Sequence, residues 1–213
     1  MFSASLWKIS STQDVFYPLS LEKWMIFFRC FTDLIFPPLC LACKKKCDTK
    51  FLCPDCWQLC SLPDPVERCR HCFEELDSRG NLCAQCRKEK LLPVVRAYVF
   101  DPESPAYRLG WEAVDAMAGF AFVQWIQLEW PLPDMIVPMP NRESVAIGAS
   151  LARLIDRPIA RALTGDCEYK EDRLEEDQEI LLFDVSNPMG LLKRGSGALF
   201  ESFPKRIRIL SLF

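Results

Sequence analysis

The residues best equipped for chemistry in this chain are cysteines, and their spacing names the chemistry. Eleven of the twelve fall between Cys30 and Cys86, and Cys167 stands alone in the second half. Cys40-x2-Cys43 is followed after nine residues by Cys53-x2-Cys56, and Cys69-x2-Cys72 is followed after ten by Cys83-x2-Cys86. A C-x2-C knuckle presents two thiolates to one ion from neighbouring turn positions, and a second knuckle completes a tetrahedron. These eight residues predict one or two structural zinc sites with no coordination position left open for catalysis. Binding free energy of roughly 10–16 kcal/mol per structural zinc would replace the core that so short a segment lacks. Pairing in chain order and a cross-braced pairing, first knuckle with third, both satisfy the spacing. A redox C-x-x-C would need only one such pair beside a βαβ unit, so four pairs argue for metal.

The other candidates are weaker. Cys47 and Cys60 lie inside the module but outside the knuckles and read as small buried residues. His71, the only histidine, sits between Cys69 and Cys72 and reads as an exposed knuckle residue. A single histidine also argues against Ser-His-Asp or Cys-His catalysis. Lys44–Lys46 is a small basic cluster beside the first knuckle, and Trp57 is the nearest aromatic that could stack on a nucleic-acid base. Packing beside the knuckle is the simpler expectation for Trp57.

Three segments must position these residues: a 1–36 extension, a 37–90 cysteine module and a 91–213 α/β domain. Half the residues are apolar and 12% are aromatic, which suffices for a core. A net charge of −3 argues against a surface built wholly for nucleic acid. Met1–Ser20 lacks the uninterrupted apolar stretch of an export signal, which predicts a cytoplasmic, reducing setting. Leu21, Trp24, Met25, Phe28, Phe31 and Ile35 recur at helical spacing, so Leu21–Ile35, which carries Cys30, reads as an amphipathic helix. Its charges and short length argue against a transmembrane span.

From Val94 onward, strands alternate with helices, the pattern of a parallel, doubly wound sheet. Val94–Phe100, Met135–Val137, Ile159–Leu163, Ile180–Phe183 and Arg206–Leu212 read as strands. Tyr107–Leu128, Glu143–Ile155 and Gly190–Ser202 read as helices. Asp166–Glu179 is strongly acidic and reads as a solvated loop. In the last strand Ile207 and Ile209 share one face, with Arg206 and Arg208 on the other.

Several stretches carry a family likeness. Leu34-Ile-Phe-Pro-Pro-Leu-Cys40-Leu-Ala-Cys43, Leu52-Cys-Pro-Asp-Cys-Trp57, Asp134-Met-Ile-Val-Pro-Met-Pro140, Ile180-Leu-Leu-Phe-Asp184 leading to Gly190, and Lys205-Arg-Ile-Arg-Ile-Leu210 come in an order that resembles the ComF family. These bacterial competence proteins join an N-terminal zinc finger to a type I phosphoribosyltransferase-like domain of Rossmann-like fold. The resemblance implies that Asp184, Asn187, Gly190 and Arg142 would meet phosphoribosyl pyrophosphate, with magnesium present if the site is active. It also implies single-stranded DNA and the competence machinery as partners.

The chain departs from that pattern where the chemistry sits. Val185 stands where a second acid should follow Asp184, and Ser186-Asn187-Pro188-Met189 replaces a stretch that normally ends in threonines. Pro188 has no N–H to donate and Met189 has no hydroxyl. The acidic run 166–179 takes the place of an Arg- and Asn-containing lid. The expectation is a binding or adaptor protein for DNA uptake with a degenerate transferase site and no assigned catalytic residue. An active phosphoribosyltransferase and a purely structural zinc-stabilised module are the alternatives.

Overall fold

Ile180-Leu-Leu-Phe183 is an apolar run without polar alternation, which only a strand covered on both faces can bury. In the computed structural model, which describes residues 37–48, 51–76, 80–88, 94–170, 174–185 and 189–213, that run is the middle of a central strand. The strands are β1 (Val94–Tyr98), β2 (Met135–Pro138), β3 (Glu179–Asp184) and β4 (Arg206–Ser211). They form a four-stranded sheet in the order β1-β4-β3-β2. All three pairings are parallel. The helices are α1 (Pro54–Gln58), α2 (Ala84–Lys88), α3 (Val114–Gln127), α4 (Arg142–Leu154) and α5 (Met189–Leu199). Leu39–Phe213 belongs to one compact unit. The Leu21–Ile35 segment, Cys30 and Asn187 lie outside the described residues.

Because successive strand residues point to opposite faces, the strands feed two separate cores. Ile136, Leu181, Phe183 and Leu210 join the first, together with Met117 and Ala121 of α3 and Ile147 and Leu151 of α4. Val137, Ile180, Leu182, Ile207 and Ile209 join the second, with Leu192 and Leu199 of α5. Each large aliphatic side chain so buried contributes roughly 1.5–3 kcal/mol. Helix α4 packs on the sheet at Gly148, where an added Cβ would lie 3.4 Å from both Phe183 and Pro138, in van der Waals contact.

Three local expectations change. Tyr107–Leu128 is not one helix. Pro105–Arg108 and Gly110–Ala113 are 3-10 turns, and the α-helix starts at Val114 because Ala113 leaves the helical region, with φ −123° and ψ 42°. Ile159–Leu163 is not a strand. Ile159 forms a single parallel bridge to Ile136, and the chain then turns so that Leu163 pairs antiparallel with Tyr169. The 166–179 run is not uniformly solvated, since Cys167 is buried and Tyr169 and Leu174 pack on the second core. Arg208 lies on the face opposite Ile207 and Ile209, as the alternation predicts, and that face too is covered. It is 5% exposed because β4 is central and covered on both sides, and the carboxylate of Glu179 neutralises it. The hydrogen bond from Arg208 holds the Glu179 carboxyl below its usual range, outweighing the opposing effect of burial.

Candidate metal centres

The first knuckle of each set is built by the same backbone hydrogen bonds. Cys40 N–H donates to Lys45 O at 2.8 Å and Cys69 N–H to Glu74 O at 2.8 Å. Lys44 N–H returns to Cys40 O, and Phe73 N–H to Cys69 O, both at 2.9 Å. The closing residues Lys44 and Phe73 take left-handed backbone, with φ 61° and 64°. Antiparallel bridges Leu39–Lys46 and Arg68–Glu75 flank the two turns. Leu41 N–H to Phe51 O and Arg70 N–H to Asn81 O then bring the chain back beside each knuckle. Helix α1 starts directly after Cys53 and α2 directly after Cys83, so Cys56 and Cys86 sit one turn on, facing the same way as their partners.

The knuckles pair in chain order. Cys40, Cys43, Cys53 and Cys56 bring four sulfur atoms within 4.8 Å of one another, and Cys69, Cys72, Cys83 and Cys86 do the same. A zinc–thiolate bond of about 2.3 Å gives a tetrahedron edge of about 3.8 Å. Cys43 Sγ lies 3.7 Å from Cys53 Sγ, and Cys72 Sγ lies 3.6 Å from Cys83 Sγ. Both groups therefore have the spacing of a four-thiolate metal site, and with four protein ligands neither offers an open position.

The two sets also titrate alike. Burial pushes the Cys40 thiol up, but the backbone N–H groups of Cys43, Cys53 and Ala42 outweigh it and bring it down to about 6. Cys69 is brought down to about 6 against its own burial by Cys72, Cys83 and His71 N–H groups. Burial and neighbouring sulfurs push Cys56 and Cys86 upward, and Cys72 goes up to about 11. Four thiolates this close repel one another, so only a bound cation lets them all ionise together.

The surroundings differ. Cys40, Cys53 and Cys56 belong to the first core of the α/β unit, where Trp57 stacks on Phe120 of α3 at 5.7 Å. Gln124 of α3, fully buried, donates to Pro63 O at 3.1 Å and fastens the connection between the knuckles. The second set forms a small cluster of its own with Leu76 and Leu82. It is tied to the sheet by Phe73, which tilts on Tyr98 at 6.2 Å, and by Arg68 bonded to Asp101 at 2.9 Å. Arg96 N–H of β1 donates to His71 O at 2.9 Å, so the second knuckle covers that edge of the sheet. His71 is half-buried, with Nδ1 3.6 Å from Cys86 Sγ. Cys60 is buried and donates to Cys56 O at 3.4 Å, Cys47 is half-buried, and Lys44–Lys46 are exposed.

A second arrangement occupies the carboxyl ends of β2 and β3. Asp184 is 1% exposed, and its Oδ1 accepts from Asn141 Nδ2 at 3.1 Å and Ser144 Oγ at 2.9 Å. Ser144 Oγ also accepts from Val185 N–H at 3.0 Å, while Asn141 Oδ1 caps α4 by accepting from Ser144 N–H at 2.7 Å. Asp184 thus fastens the end of β3 to the start of α4. Arg142 is exposed in the first turn of α4, and Gly190 lies in the first turn of α5. Ser144 escaped the sequence reading because its role is a contact forty residues away. Asn141, an amide directly ahead of a helix, carried a readable cap signal.

Among the described residues no helix is long and apolar enough to cross a membrane. No family model, no curated protein and no solved structure matches this chain.

Proposed function

We propose that this is a two-zinc, ComF-like protein whose α/β unit has the type I phosphoribosyltransferase fold and serves as a binding or adaptor protein in DNA uptake, not as a transferase. One observation carries the reading: two closed four-cysteine groups stand ahead of an all-parallel sheet whose carboxyl edge bears, among the described residues, one buried acid, Asp184. Zinc is the metal that suits four thiolates in a tetrahedron, and a closed site of that kind holds structure. The loss of the second acid and of the threonines removes most of the hydroxyl and phosphate recognition a transferase needs. Asp184, Asn187, Gly190 and Arg142 are the residues that phosphoribosyl pyrophosphate would meet, and magnesium would come only with that ligand. The exposed lysines Lys44–Lys46 are the best candidates for a salt-sensitive contact with single-stranded DNA.

The test combines metal analysis with titration calorimetry of the zinc-loaded protein against phosphoribosyl pyrophosphate and magnesium. The expected outcome is one zinc per four-cysteine group, hence two per chain, and no heat at about millimolar ligand. Micromolar binding would make the unit a transferase site after all. Zinc absent from protein purified without chelator would overturn the metal assignment.

A further inference from the structure

Of the eight cysteines in the two four-sulfur groups, Cys43 alone is exposed. Its counterpart Cys72 is half-buried, and the other six are buried. The residue that follows each accounts for the difference. Phe73 closes the second turn, is buried and tilts on Tyr98 of β1 at 6.2 Å, which draws Cys72 against the sheet. Lys44 closes the first turn in the same left-handed backbone, but it is exposed, as are Lys45 and Lys46. A lysine there gives Cys43 no such cover. Cys53, its nearest partner across the group, is buried, with its Sγ 3.7 Å from Cys43 Sγ. The first group therefore pairs a sulfur that solvent reaches with one that only a neighbour reaches. A cysteine bound to metal has already shed its proton, so access decides how readily it reacts. Oxidation of cysteine follows thiolate character and exposure, and a second sulfur close by resolves the product to a disulfide.

We propose that Cys43 is a modification site, at which a peroxide oxidises the first group and frees its metal. The Cys43 thiolate attacks one oxygen of hydrogen peroxide. A sulfur–oxygen bond forms, the oxygen–oxygen bond breaks and hydroxide leaves. The Cys53 thiolate then attacks the Cys43 sulfur, forming the disulfide and expelling a second hydroxide. Both hydroxides take protons from solvent, so the sulfur pair is oxidised and the peroxide is reduced to water. The first group keeps only Cys40 and Cys56 as ligands and releases its metal. The inference rests on the zinc assignment made above, but not on the ComF-like reading.

The second group supplies the contrast. Its cluster is the smaller, so loss by local opening would free its metal first. Attack at an exposed sulfur frees the first metal instead, and the order of loss separates the two routes.

The test treats the full, zinc-loaded chain with hydrogen peroxide, follows released zinc with a chromogenic chelator and maps disulfides by mass spectrometry. Metal content is measured first, and a chain without zinc would overturn the assignment and this inference together. From a loaded chain, one zinc should leave at least about tenfold faster than the other, in step with a Cys43–Cys53 disulfide. Dithiothreitol and zinc should then restore the loaded chain. Cys43→His keeps four donors that zinc accepts, and it should slow the first release about tenfold. Cys72→His, the matching change in the second group, should leave the first release unchanged. Should Cys43→His bind a single zinc, the order of loss and the disulfide map of the unsubstituted chain carry the test. Loss from the second group first, or from both at one rate, would overturn the proposal. So would a disulfide map without Cys43, or a loaded Cys43→His chain that releases zinc as fast as the unsubstituted one.

Discussion

Cys40 and Cys69 occupy equivalent places in two copies of one knuckle, both fully buried and both brought down to about 6 by the same kind of backbone donors. Around Cys40 the sulfurs belong to the core that holds α3, α4 and one face of the sheet. Around Cys69 they belong to a small cluster, attached through Phe73, Arg68 and one backbone bond to β1. The same four-cysteine geometry thus stands in two settings. A metal held by the first group would close a wall of the main core. One held by the second would stiffen a satellite lying on the edge of the sheet. Stability need not be uniform across a structure, and a unit with few buried contacts opens on its own.

The largest expected difference follows from deleting a ligand in each set. Cys40→Ser should lose one metal and, with it, cooperative thermal unfolding of the α/β unit, because about 10 kcal/mol or more of binding free energy rivals the whole stability of a domain. Cys69→Ser should also lose one metal yet keep a cooperative melt and the near-ultraviolet circular dichroism of the first core. If the two variants melt alike, the contrast between the clusters is wrong.

Acid should act on both clusters together. A thiol lowered to about 6 in the folded chain, from an ordinary value of 9.0, favours the folded thiolate above its unfolded value and loses that advantage as pH falls through about 6. Metal binding moves in the same direction, since every ligand must shed its proton. Uptake of cobalt(II) by metal-free protein should therefore rise steeply from about pH 6 upward at both sites. Uptake independent of pH would show that thiolates are not the ligands.

Two smaller substitutions sharpen the distinction through chelator-competition kinetics. Phe120→Ala removes the ring that stacks on Trp57 and meets Phe100 edge-on at 5.0 Å. It should cost about 2 kcal/mol and speed release of the first metal alone. Arg68→Ala breaks a partly exposed pair with Asp101 and should cost under about 1 kcal/mol, speeding release of the second metal alone. Equal acceleration at both sites in either variant would mean the clusters open as one unit.

The parts of the molecule visible in the sequence are those governed by short-range spacing or by burial on both faces. Two thiolates three residues apart make a knuckle by local geometry, and the unbroken run Ile180–Phe183 has nowhere to go except the middle of a parallel sheet. The boundary at Val114 was hidden because Tyr107–Leu128 reads as one helix, and only the backbone of Ala113 leaves the helical basin. The buried charge of Arg208 was hidden because alternation along a strand says which residues share a face, not whether that face meets water.

Sequence alone determined which eight cysteines can hold metal and that the second half alternates strand with helix. The tertiary structure decided which knuckles come together, which cluster joins the main core, and that Asp184 clamps α4 through Asn141 and Ser144. It also placed Arg161 and Lys170, nine residues apart, in the lining of one cleft. The physical reason is range. Ligand spacing and side-chain period act over a few residues, whereas pairing, burial and the gathering of charge depend on segments that meet only when the chain has closed.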